Sequence, residues 1–344
     1  MIQPTTQPMT HLAQWSRQWS RRLAIAAGTL SLAIATALPA SADPFRDTSP
    51  RQFDPNVEAA FDAMFKAGDY QEANRLLQTA SESEPLTHAM QATLAYLSED
   101  WDRLSQEADQ TLASATQLLD QDPLRGHLYT AVGHFMQGGY ALSTQDVVSA
   151  TPLVLNKLRL VFDNFNQAEE IDPGDPELNL IRGYMDLLLA VNLPFSSPDE
   201  AIDKFSSFGA PAHLVNRGLA IAYRDLDQYD QAIASVDQAL QQAPQNPDLL
   251  YLKAQILRLQ GDLDTSVRLF NQALKQQAQM PTNLANQIAR EMCRTRRDLN
   301  GEGPNCDNWV RRWREQVNGS EGAEASPTAP QGTAMSSYPS TSHP

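Results

Sequence analysis

The sequence predicts an all-α fold, a right-handed α-solenoid of antiparallel helix pairs that ends in C-terminal capping helices. Three observations carry this. Residues 222–244 (AYRDLDQYDQAIASVDQALQQAP) superpose on residues 256–278 (ILRLQGDLDTSVRLFNQALKQQA) at an offset of 34 positions. Apolar residues recur at helical spacing along most of the chain. Glycine is sparse, 16 of 344 residues, while Gln, Asp and Ala abound, which suits solvated helices. A helix pair of this length cannot bury its apolar face alone, so successive pairs must stack into a continuous core.

Within the repeated stretch, residues 213–280, Ala220, Tyr223, Ala232, Val236 and Ala239 fall opposite Ala254, Leu257, Ser266, Phe270 and Ala273. The small residues allow close helix approach and the large ones fill the gaps between units. A two-helix unit with this period resembles the tetratricopeptide repeat. The inter-helix turns GDYQEA (68–73), DQYDQA (227–232) and GDLDTS (261–266) match that family, as does the repeat junction EIDPGDP (170–176). The resemblance covers residues 54–280, is strongest over 213–280, and looks most like the exported repeat proteins of bacterial envelopes, cyanobacteria in particular.

The N-terminus reads as an address. Arg17, Arg21 and Arg22 precede an apolar run over residues 23–38, and Ala40-Ser41-Ala42 supplies small residues for cleavage between Ala42 and Asp43. Sixteen apolar residues make about 24 Å of helix, short of the roughly 30 Å of a hydrocarbon core. Ser20-Arg21-Arg22 hints at a twin-arginine signal, but Ala24 stands where a bulky apolar residue is usual, so the general secretory route is expected. No transmembrane segment is expected in the mature chain. The expected location is the periplasm, or the thylakoid lumen in a cyanobacterial cell. Formal net charge is −15. A chain this acidic repels nucleic acid and anionic membrane.

In order, residues 43–53 read as a polar tether. Asp54-Pro55 caps a first helix through Val57, Phe61, Met64 and Phe65 that ends near Gly68. Pro85 closes that unit, and EDWDRL (99–104) turns the next, whose second helix continues to Asp120. Asp122-Pro123 opens a helix through Leu128, Val132, Phe135 and Met136, expected to end at Gly138-Gly139. Residues 140–152 read as a loop or broken helix. A long helix then runs from Leu153 to the junction, and Pro176 opens the next, followed by the longer turn NLPFSSPDEA (192–201). Thus residues 54–212 are expected to hold degenerate units and 213–280 two well-formed ones. Residues 281–317 form a cap, with a helix to about Leu299 and a short one over 307–315. Residues 318–344, rich in Ser, Thr, Pro, Gly and Ala, are expected to be disordered because they bury too little apolar surface to offset chain entropy.

Chemistry-bearing candidates are few. Cys293 and Cys306 are the only cysteines, and in an exported chain such a pair suggests a disulfide. The intervening loop offers Asp298, Asn300, Glu302, Asn305 and Asp307, but their spacing departs from the EF-hand calcium loop. His127 and His134 share a helical face, and two ligands do not make a metal site. No phosphate loop, nucleophile elbow, His-Glu-x-x-His or dinucleotide fingerprint occurs. No catalytic residue, cofactor or metal is assigned.

The family resemblance implies that the first helix of each unit lines a concave groove. It assigns to that groove Arg217 and Arg224 in one unit and Tyr251, Gln255 and Arg258 in the next. Arginine forks suit carboxylates, so a protein or peptide partner with acidic groups is expected. The opposite reading pairs these arginines with acids of neighbouring repeats, such as Asp225 and Asp248. The family's carboxylate clamp wants Asn four residues after the cation, where Ile221 follows Arg217. Arg290, Arg294, Arg296, Arg297, Arg311, Arg312 and Arg314 cluster at the cap. They either meet an acidic partner or a membrane or envelope surface, with Trp309 and Trp313 as anchors, or balance the acidic body. The resulting expectation is a non-catalytic scaffold of the cell envelope. The alternative is a periplasmic component of cell-wall or polysaccharide metabolism with an unrecognised activity.

Overall fold

The computed structural model describes residues 43–46, 49–192 and 198–320, all within one compact unit, Ala42–Pro344. The expected signal segment, residues 1–42, and the tail beyond residue 320 lie outside the described residues. Fourteen α-helices, and no strand, occur among the described residues. They are α1 (Pro55–Phe61), α2 (Tyr70–Leu77), α3 (Pro85–Leu97), α4 (Trp101–Leu118), α5 (Pro123–Thr144), α6 (Val147–Ile171) and α7 (Pro176–Asn192). The series continues with α8 (Asp199–Phe208), α9 (Ala212–Asp225), α10 (Tyr229–Gln242), α11 (Pro247–Gln260), α12 (Leu263–Leu274), α13 (Thr282–Asn300) and α14 (Cys306–Ser320). Consecutive helices pair and stack into an all-α solenoid, most extensively at α5 and α6. None of the described helices is long and apolar enough to cross a membrane.

Acidic composition and helix formation are connected. Asp54, Asp69, Glu84, Asp100, Asp122, Asp146 and Asp262 sit at N-caps, where each carboxylate accepts a first-turn backbone N–H. Each such cap contributes about 1 kcal/mol, so part of the negative charge starts helices rather than merely solvating them.

The repeat positions pack as their spacing predicts. Ala220, Ala232, Val236, Ala239, Ala254, Ser266, Phe270 and Ala273 are completely buried. Ser266 replaces an alanine without leaving a stranded hydroxyl, since its Oγ donates to the Ala254 carbonyl at 2.7 Å. Between α7 and α9, Phe205 presses on Gly183 and Gly218. A Cβ at those two glycines would approach its ring to 2.7 and 2.5 Å.

Three expectations are corrected. First, α5 continues through Gly138-Gly139 to Thr144, and α6 begins at Val147, so only Gln145 and Asp146 separate them. A helical glycine costs about 1 kcal/mol relative to alanine, and the long α5–α6 packing outweighs that cost. Second, residues 43–53 are no tether. Asp43, Phe45 and Phe53 are buried, and Phe45 meets Phe61 edge-on at 5.0 Å. Two well-spaced phenylalanines in a polar stretch anchored it where average composition suggested slack. Third, α14 extends from Cys306 to Ser320, so residues 318–320 continue a helix rather than open a tail.

Charges secure the N-terminal strap. Arg51 bonds Glu177 at 2.8 Å and Asp175 at 3.2 Å, and Arg46 pairs with the same Asp175. Arg125 reaches Glu84 at 2.7 Å and Glu177 at 3.0 Å, while the Tyr129 hydroxyl donates to Glu177 at 2.6 Å. Glu177 and Asp175 are fully buried, so they are tolerable only because this network satisfies them.

Candidate functional site

The first helices α9, α11 and α13 bring four of the five candidate groove residues into one polar ladder. Arg224 bonds Asp225 at 2.7 Å and the Gln255 amide oxygen at 3.1 Å. Gln255 then donates to Glu291 at 3.0 Å, and the Tyr251 hydroxyl donates to the same carboxylate at 2.6 Å. Arg258 closes the row on Asp298 at 2.7 Å. Burial, and then Glu291, push the Tyr251 phenol well above its ordinary value, so it stays a neutral donor.

Arg217 stands apart from that row. Its guanidinium lies over the Tyr184 ring, 5.7 Å from the centroid, beside Tyr70 and Asp248. Burial opposes its charge, but Tyr184, Asp248 and Tyr70 outweigh this and raise its pKa. Burial also raises the Asp248 carboxyl, while Arg217 and the hydrogen bond from Tyr70 pull it back. Of the two readings of these arginines, pairing with acids is present for Arg224 on Asp225 and for Arg258 on Asp298, whereas Asp248 acts on Arg217 only as a nearby charge.

The N-terminal helix pair covers this end of the surface. Tyr70 donates to Asp248 at 2.5 Å, and the Asn246 amide donates to the carbonyls of Phe65 and Lys66 at 3.1 and 3.2 Å. Gly68, at φ +69°, abuts Pro247 so closely that a Cβ would meet its Cδ at 2.5 Å. Sequence reasoning missed this contact because no local pattern joins positions some 180 apart.

A second surface was also missed. Between α3, α4, α5, α6 and α7 lies a groove of about 570 Å³, lined chiefly by Ala92, Leu104, Phe135, Met136, Leu142, Val154, Leu158, Leu188 and Leu189. Its few polar groups include His134 and Lys157, and no carboxylate lines it. Burial, then neighbouring Lys157, lower the His134 pKa, which favours the neutral ring. Gly138 and Gly139 lie in its wall. A glycine pair inside a helical pattern is the local signal, and along the chain alone it resembles a helix end.

At the cap, Cys293 and Cys306 are disulfide-bonded. Trp313 is buried and stacks with Trp309, so it is not an exposed anchor. Arg290 pairs with Asp307 at 2.8 Å. His127 and His134 bond Asn164 and Gln137 respectively, and no metal-binding cluster occurs among the described residues.

Residues 217–281 match the family model described as tetratricopeptide repeat. That stretch carries tetratricopeptide repeats. Among solved structures, it is similar to PilW, a widely conserved type IV pilus biogenesis factor, at 17% identity and TM-score 0.42, over 67% of this chain and 93% of that one. It is also similar to a tetratricopeptide repeat protein from Parabacteroides merdae, at 16% identity and TM-score 0.36, over 75% and 95% of the two chains. A thermophilic repeat protein of Thermus thermophilus aligns at 17% identity and TM-score 0.28, over 70% and 96%. No curated protein matches the chain.

Proposed function

We propose that this chain is a non-catalytic protein-interaction scaffold of the cell envelope. It is exported by cleavage between Ala42 and Asp43, and it holds a partner segment on the first-helix surface of its tetratricopeptide repeats. Such repeats generally serve as protein-interaction scaffolds, which supports the class of function.

The ladder Arg224–Gln255–Glu291–Tyr251 carries the reading, with Arg258 beside it. Amides, hydroxyls and guanidinium donors in one row can meet the backbone and acidic side chains of an extended segment. A guanidinium has five N–H donors, and the bonds to Asp225, Gln255 and Asp298 leave further donors on Arg224 and Arg258. Arg217 and its aromatic surround hold the end of the surface rigid.

The test places a photo-crosslinking residue at Gln255 in the exported full-length chain. A discrete adduct is expected, lost in Arg224→Ala/Arg258→Ala while circular dichroism is unchanged. An adduct unaffected by both substitutions, or none at all, refutes the assigned surface. N-terminal sequencing of the periplasmic protein tests export, and an intact 1–42 segment contradicts it.

A further inference from the structure

The apolar groove between α3 and α7 is separate from the ladder and has different chemistry. Thr93 and Ser143 in its wall already donate to their own helix carbonyls, Ala89 and Gly139, at 2.9 Å each. An extended peptide would bury backbone donors and acceptors here without partners, which disfavours it. An alkyl tail carries no such groups.

The volume suits that tail. Ligand pockets commonly span roughly 300–1,000 Å³ and combine apolar walls with a few polar groups. A methylene takes about the space of a liquid water, about 30 Å³, so about 570 Å³ holds a tail of roughly 12 to 16 carbons in a partly open groove. Tyr96, Leu142 and Leu188, each about half exposed, form its apolar rim.

Charge selects the head group. Lys157 is the one residue of the lining with a permanent positive charge, in a chain whose formal net charge is −15. Its ammonium donates to the neutral Gln137 side chain, and it forms no ion pair among the described residues. We propose that this groove binds a single-chain anionic amphiphile, with the tail among α3, α5, α6 and α7 and the acid head at Lys157.

The geometry supplies a variant that closes the groove without breaking the fold. Gly139 is helical, and a Cβ there meets nothing within 4 Å. Gly139→Leu therefore enters open space and improves helix propensity. Full-length protein is titrated calorimetrically with decanoate, dodecanoate and dodecan-1-ol, each below its micellar concentration.

Dodecanoate is expected to bind one to one, roughly tenfold tighter than decanoate, given about 0.8 kcal/mol per buried methylene. Gly139→Leu is expected to abolish binding at unchanged or raised Tm. Lys157→Gln is expected to weaken dodecanoate to the level of dodecanol and leave dodecanol unaltered. Unsaturable heat, equal binding in Gly139→Leu, or equal affinity for acid and alcohol in the wild type overturns the proposal. So does retention of an amphipathic helical peptide, or of anionic phospholipid vesicles, by a groove that does not take dodecanoate. Crosslinking at Gln255 is unaffected by either variant, so the two surfaces fail or hold independently.

Discussion

Replacing Arg125 by methionine tests whether charge, rather than apolar contact alone, secures the N-terminal half. Arg125 is 4% exposed, and its guanidinium bonds Glu84 and Glu177 while lying over the Phe53 and Tyr129 rings. Methionine retains much of the apolar volume but strands a carboxylate that is completely buried. Breaking a buried pair from one side costs about 3–5 kcal/mol. Because Arg51 still reaches Glu177, the low end applies, about 3 kcal/mol. At roughly 2–4 °C per kcal/mol, Tm should fall by about 6–12 °C. Urea titration followed by far-ultraviolet circular dichroism supplies the free energy. Arg125→Met/Glu177→Gln removes the stranded charge and should recover part of the loss. A single-variant loss below about 1 kcal/mol, or a double variant no better than the single, refutes the reasoning.

Gly68→Ala should cost more than about 2 kcal/mol, since a left-handed φ penalises any side chain and the new Cβ meets Pro247. Faster proteolysis within residues 54–80 would report it, and wild-type resistance would count against the contact. His88 is opposed by burial, but hydrogen bonds to the Glu107 carboxylate and Glu82 carbonyl outweigh that and raise its pKa. The stabilisation is therefore present below the ordinary histidine value of about 6.5 and lost as pH rises through the raised folded value. His88→Gln should lower Tm more in acid than in alkaline buffer, and parallel pH–Tm curves would contradict this. Reducing Cys293–Cys306 should remove about 3 kcal/mol from the α13–α14 cap. A red shift of Trp309 and Trp313 fluorescence is expected, and an unchanged spectrum would show that packing alone holds α14.

The well-formed repeats were legible because Ala232, Val236, Ala239, Phe270 and Ala273 do the same packing task at a fixed period, and all are completely buried. The cysteine pair was legible from its context. What escaped was long-range. Nothing local marks Arg51 as the partner of Glu177, or Tyr70 as the partner of Asp248. The apolar groove escaped for another reason. Gly138-Gly139 looks like punctuation when read along the chain, and it opens space only because α6 lies alongside. Arg217, Arg224 and Arg258 sit on the first helices α9 and α11, but only tertiary structure reveals Gln255 and Asp298 as partners of the last two.

The bond from Asn246 to the Phe65 carbonyl spans 181 positions. At roughly 5–20 residues per second of synthesis, the first helix pair emerges some 10–40 seconds before the surface it docks on. During that interval the contact face formed by Tyr70 of α2 and by Gly68 in the turn before it has no native cover. On the proposed export by the general secretory route, the chain would cross the membrane before it folds. A delay built into the order of the helices keeps the early ones incomplete, and so still threadable, until the late ones have been made.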